Sequence, residues 1–143
     1  YTTLFRSASE LVTWSANHQL VLDTEQAPAL WQADPTLIRI AVSNLVDNAV
    51  KFSRQGKIRI AVRVEQESLI ISVADEGPGP ALADQERIFD AFESGRRSDQ
   101  GGGFGFGLYV ARKIARAHQG EVSVEVSEEN GTLFRLSVGR MIG

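Results

Sequence analysis

Residues 44–52 constrain the fold of this chain most, because they combine an apolar helical pattern with a polar face. Asn44 and Asn48 are four residues apart and Lys51 follows three residues later, so their side chains share one face of a helix. Two amides and a lysine on a helix that otherwise contributes to a core require a ligand. Amide oxygens coordinate Mg²⁺ and an ammonium group binds phosphate oxygens, so a polyanion carrying a divalent metal would satisfy all three side chains.

The composition excludes several classes of function. With 143 residues the chain can form one domain with a proper core, and a net charge of −3 without a long basic run argues against nucleic-acid binding. The absence of cysteine excludes disulfides, thiol catalysis and cysteine-based zinc sites, and it fits a reducing compartment. No apolar run approaches a membrane span and no signal peptide opens the chain. Because the chain starts at Tyr1 rather than Met, we expect an excised domain whose parent could be a membrane protein.

The periodicity of apolar residues predicts both helices and β-strands. Asp34 and Pro35 suit the N-cap and the first position of a long helix, which is predicted to end near Ser53. Another helix is predicted from about Gly105 to His118. Further predicted elements are helices at residues 7–16 and 84–91, and strands at residues 20–22, 58–64 and 69–74, the last two joined by a hairpin at residues 66–68.

The C-terminal part of the chain predicts a second β-hairpin. Its strands are expected to pair across Asn130-Gly131, with Val122, Val124 and Val126 opposite Phe134, Leu136 and Val138. The more continuous apolar run at residues 69–74 predicts the more central strand of the sheet. Together these elements predict one sheet with helices packed on one face, an α/β two-layer sandwich, and a single domain over residues 1–143.

A second candidate motif, residues 75–79, follows the apolar strand. The Asp75 carboxylate at the end of a buried strand can accept a hydrogen bond from an exocyclic amine such as that of adenine. Gly77 and Gly79 let the backbone approach a flat base closely. A plain Asp/Gly turn explains the same residues, and for this motif alone it is the commoner outcome.

A glycine-rich stretch, residues 101–108, leads directly into a predicted helix. Clustered backbone N–H groups at a helix N-terminus bind phosphate. The stretch has neither the Gly-Lys-Ser/Thr of a P-loop nor the acidic residue and strand–helix context of a Rossmann fingerprint. A hinge or linker is the alternative, although Phe104, Phe106 and Leu108 need somewhere to pack. Arg96 and Arg97, just before the glycines, either close over phosphates or form a solvated pair.

The two histidines, His18 and His118, are interpreted as structural residues. His118 falls in the last turn of a predicted helix, where a partly positive imidazole suits the helix dipole. The sequence shows no Ser/His/Asp set and no His/carboxylate metal cluster.

In this order, the asparagine helix, the Asp-x-Gly-x-Gly turn and the glycine-rich loop resemble the ATP-binding catalytic domain of bacterial sensor histidine kinases. That family shares the Bergerat ATP fold with DNA gyrase B, Hsp90 and MutL, and the resemblance implies a mixed, mainly antiparallel sheet with helices on one face. It covers about residues 33–138, with Pro80, Phe104 and Phe106 differing from the usual residues. The matched family boxes are the N box at residues 44–52, the G1 box at 75–79, the F box at 87–92 and the G2 box at 103–108.

The resemblance implies a role for each matched residue. Asn48 would be the main Mg²⁺ ligand with Asn44 assisting, and Lys51 would contact phosphate. Phe52 would lie near the adenine, and Asp75 would bind its amino group. The other implied nucleotide contacts are Gly77 and Gly79 at the base, Arg96 and Arg97 in a lid anchored by Phe89 and Phe92, and Gly103, Phe104, Gly105, Phe106, Gly107 and Leu108 in the glycine-rich loop.

Asn44 distinguishes two reaction types. In the gyrase-like relatives a Glu at this position activates water for ATP hydrolysis, and an amide cannot take a proton in that way. The resemblance therefore implies a kinase domain that binds Mg·ATP or ADP, with Asn44 and Lys51 as its catalytic residues. A gyrase/Hsp90-type hydrolase and a nucleotide-blind interaction domain are the alternatives.

The resemblance also implies the partners. The γ-phosphate would pass to a histidine on the dimerisation domain of the same protein, which is absent here, and then to the receiver domain of a response regulator. No nucleic acid and no membrane insertion of this domain are expected. The implied location is cytoplasmic, as part of a sensor protein of the inner membrane.

Overall fold

The computed structural model describes residues 18–28, 30–53, 55–90, 107–129 and 131–140. Among the helices of these ranges, none has the length and apolarity needed to cross a bilayer. The predicted helix at residues 7–16 lies outside the described residues, as does Asn130. The elements are β1 (His18–Asp23), α1 (Pro35–Ser53), β2 (Gly56–Glu65), β3 (Ser68–Asp75), α2 (Gly107–Ala117), β4 (Val122–Ser127) and β5 (Gly131–Gly139).

Helix α1 begins and ends where the sequence predicts. The Asp34 carboxylate accepts a hydrogen bond from the Leu37 backbone N–H at 3.1 Å, which caps the helix. Pro35 occupies the first helical position, where a missing N–H leaves no intrahelical bond unmade. The buried residues of α1 recur at intervals of three or four, so one side of the helix faces the core.

The five strands form one mixed sheet in the order β1-β2-β3-β5-β4. Strands β1 and β2 run parallel because α1 connects them as a crossover, and all other neighbouring strands run antiparallel. Strand β3 lies at the centre with residues buried on both faces, as its continuous apolar run predicts. The predicted two-layer sandwich with a mixed, mainly antiparallel sheet is confirmed.

The hydrophobic core lies between the sheet and the two helices. Ala41 on α1 and Ala111 and Ala115 on α2 are fully buried, so the two helices approach each other closely. Each fully buried Leu or Ile side chain contributes roughly 2 kcal/mol of transfer free energy. The largest of them are Ile38, Leu45, Ile58, Ile60, Leu69, Ile71, Leu108 and Leu136.

The predicted helix at residues 84–91 is wrong over the described residues. Two 3₁₀ turns, Leu82–Asp84 and Arg87–Phe89, take its place. The Asp84 carboxylate at the end of the first turn forms an ion pair at 2.8 Å with Arg87 at the start of the second. Asp90 then adopts an extended conformation with ψ 143°, which ends the helical segment.

The predicted hairpin forms, but its strands are not paired over the whole of the predicted residue sets. Val122 lies opposite Leu136 and Val124 opposite Phe134, whereas Val126 lies opposite Thr132 and Val138 pairs with Leu69 on β3. Strand β5 is longer than β4, and its far end pairs with the start of β3 instead. The tight turn therefore brings a threonine, not a valine, to the end of the hairpin.

Candidate functional site

The polar face of α1 carries Asn44 and Asn48 one helical turn apart. Asn48 is only 5% exposed, and its Nδ2 donates a hydrogen bond to the Asn44 backbone carbonyl at 2.9 Å. An amide carries its donor and its acceptor on opposite arms, so this bond directs Oδ1 of Asn48 away from that carbonyl. Asn44 is half-buried beside it. The structure therefore holds the Asn48 side chain in one orientation, with its oxygen turned away from the Asn44 carbonyl.

Asp75 ends the central strand and is almost completely buried, with 4% of its surface exposed. Its Oδ1 accepts the Gly77 backbone N–H at 2.7 Å. Burial raises the pKa of Asp75 to about 6, and the hydrogen bond from Gly77 offsets part of that rise. Within the described residues Oδ2 makes no hydrogen bond, so this carboxylate can accept one from a ligand amine.

Backbone contacts hold the turn after Asp75, and they require glycine. A Cβ built on Gly77 would lie 2.6 Å from the Cα of Ser53 at the end of α1. Gly79 has a φ of +66°, which favours glycine, and a Cβ there would collide with the Thr132 hydroxyl. Thr132 is 2% exposed and donates from Oγ1 to the Gly77 carbonyl at 3.1 Å. The turn is thus pressed between α1 and β5.

The N-terminus of α2 meets the polar face of α1. A Cβ built on Gly107 would lie 3.4 Å from the side chain of Asn44, so the start of α2 lies directly beside that amide. The first N–H groups of a helix have no intrahelical partner and carry partial positive charge, which favours an anion. The Leu108 side chain is fully buried in the core, so only its backbone can serve the predicted phosphate contact.

These contacts order the site along α1. Gly107 lies beside Asn44 and Gly77 lies beside Ser53, nine residues further along the same helix. At 1.5 Å per residue this separation is about 13 Å. One end of the site therefore offers a buried carboxylate and the other end offers amides and a helix N-terminus, an arrangement that a single nucleotide can span.

Lys51 and Phe52 occupy the last turn of α1. The Nζ of Lys51 lies 5.9 Å from the centre of the Phe52 ring, within the range of a cation–π contact. The Phe52 carbonyl lies close to Gly77, which places this turn at the Asp75 end. The predicted site residues that lie together on adjoining elements are Asn44, Asn48, Lys51, Phe52, Asp75, Gly77, Gly79, Gly107 and Leu108.

The remaining predicted residues are those that the resemblance assigns to a lid and its anchors. Phe89 is 6% exposed, and the guanidinium carbon of Arg112 on α2 lies 5.4 Å from its ring centre. Phe89 therefore packs against α2. The predicted residues outside the described ranges are Phe92, Arg96, Arg97, Gly103, Phe104, Gly105 and Phe106.

A cavity of about 800 Å³ lies beside the Asp75 turn. Its lining includes the carboxylates of Glu76, Glu128 and Glu129. Three negative charges repel a polyphosphate, so this cavity does not suit the phosphates. The α1 face and the α2 N-terminus suit them better.

The metal-binding capacity of the site rests on amides. Within the described ranges, no group of three His, Cys, Asp or Glu side chains could hold a metal ion. Mg²⁺ typically takes one or two protein oxygens and completes its shell with phosphate oxygens and water. Oδ1 of Asn48 is a hard oxygen of the kind that Mg²⁺ prefers, so the donor set fits that ion.

Sequence analysis missed the contacts of Thr132 and His118. Thr132 is the polar member of an alternating face otherwise made of Phe134, Leu136 and Val138, and that break in the pattern was the available signal. His118 is structural, as expected, and it contacts α1 as well as its own helix. Its Nε2 accepts the Asp34 backbone N–H at 3.1 Å, and an accepting nitrogen carries no proton.

A family model described as histidine kinase-, DNA gyrase B-, and HSP90-like ATPase matches residues 33–140. The chain belongs to this ATPase family. The adaptive-response sensory kinase SasA of Rippkaea orientalis is 35% identical over 122 residues, which cover 83% of this chain and 31% of that protein. The probable sensor kinase SilS of Salmonella typhimurium is 32% identical over 142 residues, which cover 96% of this chain and 28% of that protein.

Solved structures of the same ATPase family agree with this assignment. The catalytic domain of histidine kinase ThkA matches with a TM-score of 0.74 and 30% identity, covering 87% of this chain and 80% of that chain. The predicted resemblance to the ATP-binding catalytic domain of sensor histidine kinases is thereby confirmed. The chain spans about three tenths of the length of the curated relatives it matches.

Proposed function

We propose that this domain binds Mg·ATP and donates the γ-phosphate to a histidine on a separate dimerisation domain. The observation that supports this most is the meeting of the α1 amide face with the α2 N-terminus at Asn44, about 13 Å along α1 from the turn that holds Asp75. A triphosphate finds hard oxygen ligands for its metal and a positively polarised helix end there. An adenine amine finds a buried carboxylate at the other end.

At the base end, Asp75 accepts the adenine amine through Oδ2. The Gly77 N–H holds Oδ1, and Thr132 holds the Gly77 carbonyl, so the carboxylate is oriented before the nucleotide arrives. Gly79 keeps the turn flat against the base, and Phe52 packs beside it. The cost of burying the carboxylate is repaid when its hydrogen bond to the base forms.

At the phosphate end, Asn48 holds the metal through Oδ1 and Asn44 assists it. Bound Mg²⁺ neutralises phosphate charge, which is the chemistry it supplies here. The Gly107 and Leu108 backbone N–H groups and the Lys51 ammonium bind phosphate oxygens. A lid carrying Arg96 and Arg97, with Gly103, Phe104, Gly105 and Phe106 in the loop that leads into α2, completes this part of the proposal.

The reaction at this site is transfer rather than hydrolysis. The incoming imidazole nitrogen bonds to the γ-phosphorus as the bond to the β,γ-bridging oxygen breaks, and ADP leaves with that oxygen. Asn44 cannot remove a proton from water, so this domain does not promote hydrolysis. Its contribution is to position the triphosphate and to neutralise its charge.

The proposal extends to the whole protein. Residues 1–143 form one catalytic domain, and the dimerisation domain that bears the acceptor histidine is a separate part of the protein. The phosphoryl group passes onward to the receiver domain of a response regulator. This domain works in the cytoplasm, and the parent sensor lies in the inner membrane.

A transfer assay tests this function. The chain and the dimerisation domain of its parent are incubated with ATP labelled in the γ-phosphate, and Asp75→Asn serves as the matched control. We expect acid-labile, base-stable label on the dimerisation domain and little phosphate release from the chain alone. Rapid phosphate release without transfer would favour a gyrase/Hsp90-type hydrolase, and no consumption of ATP would favour a nucleotide-blind domain.

A further inference from the structure

His118 lies where α2, α1 and β5 meet, at the end of α2 opposite the predicted phosphate contacts. It directly follows the last residue of α2 and is 8% exposed. Its backbone carbonyl accepts the Gly139 N–H at 2.8 Å, which ties the end of α2 to the end of β5. The chain then leaves the helix through Gln119, at φ 60°. The main chain of His118 is therefore held at the junction of α2 and β5.

Both ring nitrogens of His118 make hydrogen bonds. Nδ1 lies 2.9 Å from the Ile114 carbonyl oxygen, so Nδ1 carries the proton and donates it. Nε2 accepts the Asp34 backbone N–H at 3.1 Å. Asp34 is also the N-cap of α1, because its carboxylate accepts the Leu37 N–H. The histidine at the end of α2 thus binds the residue at which α1 begins.

The other end of the same helix pair is the phosphate end of the site. Helix α2 starts at Gly107 against the side chain of Asn44 and ends at His118 against Asp34, so the two helices run antiparallel over about 16 Å. Between these ends both helices carry fully buried alanines, Ala41 on α1 and Ala111 and Ala115 on α2. Small side chains form shallow ridges, which resist axial sliding weakly, so a directional hydrogen bond at one end can set the axial position.

We infer that His118 is a positioning residue for the phosphate end of this site. By accepting the Asp34 N–H it sets the axial position of α2 against α1, and with it the distance from the Gly107 N–H to the Asn44 side chain. A helix of three turns moves as a unit, so an axial displacement of α2 at His118 displaces Gly107 by the same distance. The last step, that phosphates bind between Gly107 and Asn44, rests on the proposed function.

The base end provides an internal reference. The Asp75 turn rests on the end of α1 at Ser53 and on Thr132 of β5. An axial shift of α2 therefore changes the phosphate contacts and leaves the contacts of the adenosine moiety as they are. A merely structural role for His118 would instead lower the stability of the whole domain.

Two substitutions with side chains of similar length distinguish the loss of the hydrogen-bond acceptor from the loss of the imidazole ring. His118→Gln can place a carbonyl oxygen near the position of Nε2, where it can accept the Asp34 N–H. His118→Met has a closely similar shape without that oxygen. Ile114→Val is the packing control, because Ile114 lies one turn earlier on α2, is 7% exposed and has an apolar side chain.

The test combines two measurements on the 143-residue chain. Nitrogen-15 NMR follows the Gly107 amide and the Asn44 side-chain amide in nucleotide-free protein. Titrations give the Kd for a non-hydrolysable ATP analogue with Mg²⁺ and for adenosine. We expect His118→Met to shift both resonances and to raise the Kd of the ATP analogue about fivefold without changing the Kd of adenosine. His118→Gln should keep the wild-type resonances and the wild-type Kd of the analogue. Ile114→Val should lower Tm without shifting the resonances or changing the Kd of the analogue.

Unmoved Gly107 and Asn44 resonances in His118→Met would overturn the inference, as would an equal loss of analogue affinity in Ile114→Val. If His118→Met does not fold, the nitrogen-15 resonance of Nε2 in wild-type His118 is measured instead. A protonated Nε2 would contradict the hydrogen bond from the Asp34 N–H. An unprotonated Nε2 together with wild-type resonances in His118→Gln supports it. If the wild-type chain binds no nucleotide, the proposed function is contradicted. The shift of the Gly107 resonance in nucleotide-free His118→Met still tests whether His118 sets the position of the other end of α2.

Discussion

The two ends of the candidate site are built from different parts of the chain. At the base end, Gly77 is pressed against the backbone of Ser53, and its carbonyl is held by the buried Thr132 hydroxyl. At the phosphate end, the contacts are made by side chains, with Asn44 at an ordinary contact distance of 3.4 Å from a Cβ built on Gly107. One end is therefore a packed backbone turn and the other a contact between the start of α2 and a side chain of α1.

This difference determines how each end responds to mutation. A backbone turn without spare volume cannot accept a methyl group, so a substitution that adds volume to it disturbs folding. A side chain at the phosphate end can be exchanged while the helices keep their positions. Substitutions at the glycines of the base end should thus affect stability first, and side-chain substitutions at the phosphate end should affect mainly ligand affinity.

The largest expected effect is on stability, from Gly77→Ala. Its Cβ would lie 2.6 Å from the Ser53 Cα, so either the turn or the end of α1 must move. We expect the free energy of unfolding to fall by about 3 kcal/mol in urea titrations. Gly107→Ala is the matched control at the phosphate end, where we expect a change of about 1 kcal/mol or less because alanine is the better helix former. Similar losses in the two variants would remove the distinction between the ends.

The next largest effect is expected from Asp75→Asn, which removes the carboxylate at the base end. Hydrogen bonds to a charged acceptor are worth about 1.5–3 kcal/mol, so nucleotide affinity should fall roughly 10- to 100-fold in calorimetry. The fold should persist, because the asparagine oxygen can still accept the Gly77 N–H. An unchanged Kd would exclude Asp75 from base recognition.

Asn48→Ala should remove the metal-dependent part of affinity at the phosphate end. We expect the Kd of the ATP analogue to rise about tenfold in the presence of Mg²⁺ and to change little in its absence. Ser72→Ala is a control for removing a buried polar side chain, since Ser72 is 7% exposed on β3, outside the predicted site. If Mg²⁺ strengthens binding to Asn48→Ala as much as to the wild type, the metal lies elsewhere.

The smallest expected effect is a pH dependence confined to the base end. Burial raises the pKa of Asp75 from 3.8 to about 6, so the folded protein holds this proton at pH values where the unfolded chain releases it. The contribution of Asp75 to stability therefore falls as the pH rises from about 4 to about 6. Because the ionised form accepts the adenine amine, affinity should fall roughly fourfold between pH 7 and pH 5.5.

Asp75→Asn is the control for this pH profile. In that variant both the slope of stability against pH and the loss of affinity below pH 6 should be reduced. A profile that is the same in both proteins would assign the titration to another group.

Local sequence signals predicted most of the fold. Asp34 and Pro35 mark the start of α1, and the continuous apolar run of β3 marks the central strand. The sequence also places Asn44 and Asn48 on one face of α1, as the structure has them, and their role toward a ligand stays a prediction. These signals depend on residues within a few positions of one another, so a single sequence contains them.

The remaining features depend on contacts between distant residues. Thr132 bonds to Gly77 across 55 positions, and His118 bonds to Asp34 across 84. Neither pair is visible until the sheet register and the packing of the helices are known. The 3₁₀ turns that replace the predicted helix at residues 84–91 have a local contact instead, an ion pair between the buried Asp84 side chain and Arg87 three residues later.

Calorimetric titration of the 143-residue chain with a non-hydrolysable ATP analogue tests the central claim most directly. The titration is run with Mg²⁺ and with a chelator, so that the metal-dependent part of the affinity is measured separately from the metal-independent part. The structure predicts saturable binding to one site per chain that is stronger with Mg²⁺. No heat at high micromolar analogue under either condition would contradict the assignment of a nucleotide site to α1, the Asp75 turn and the start of α2.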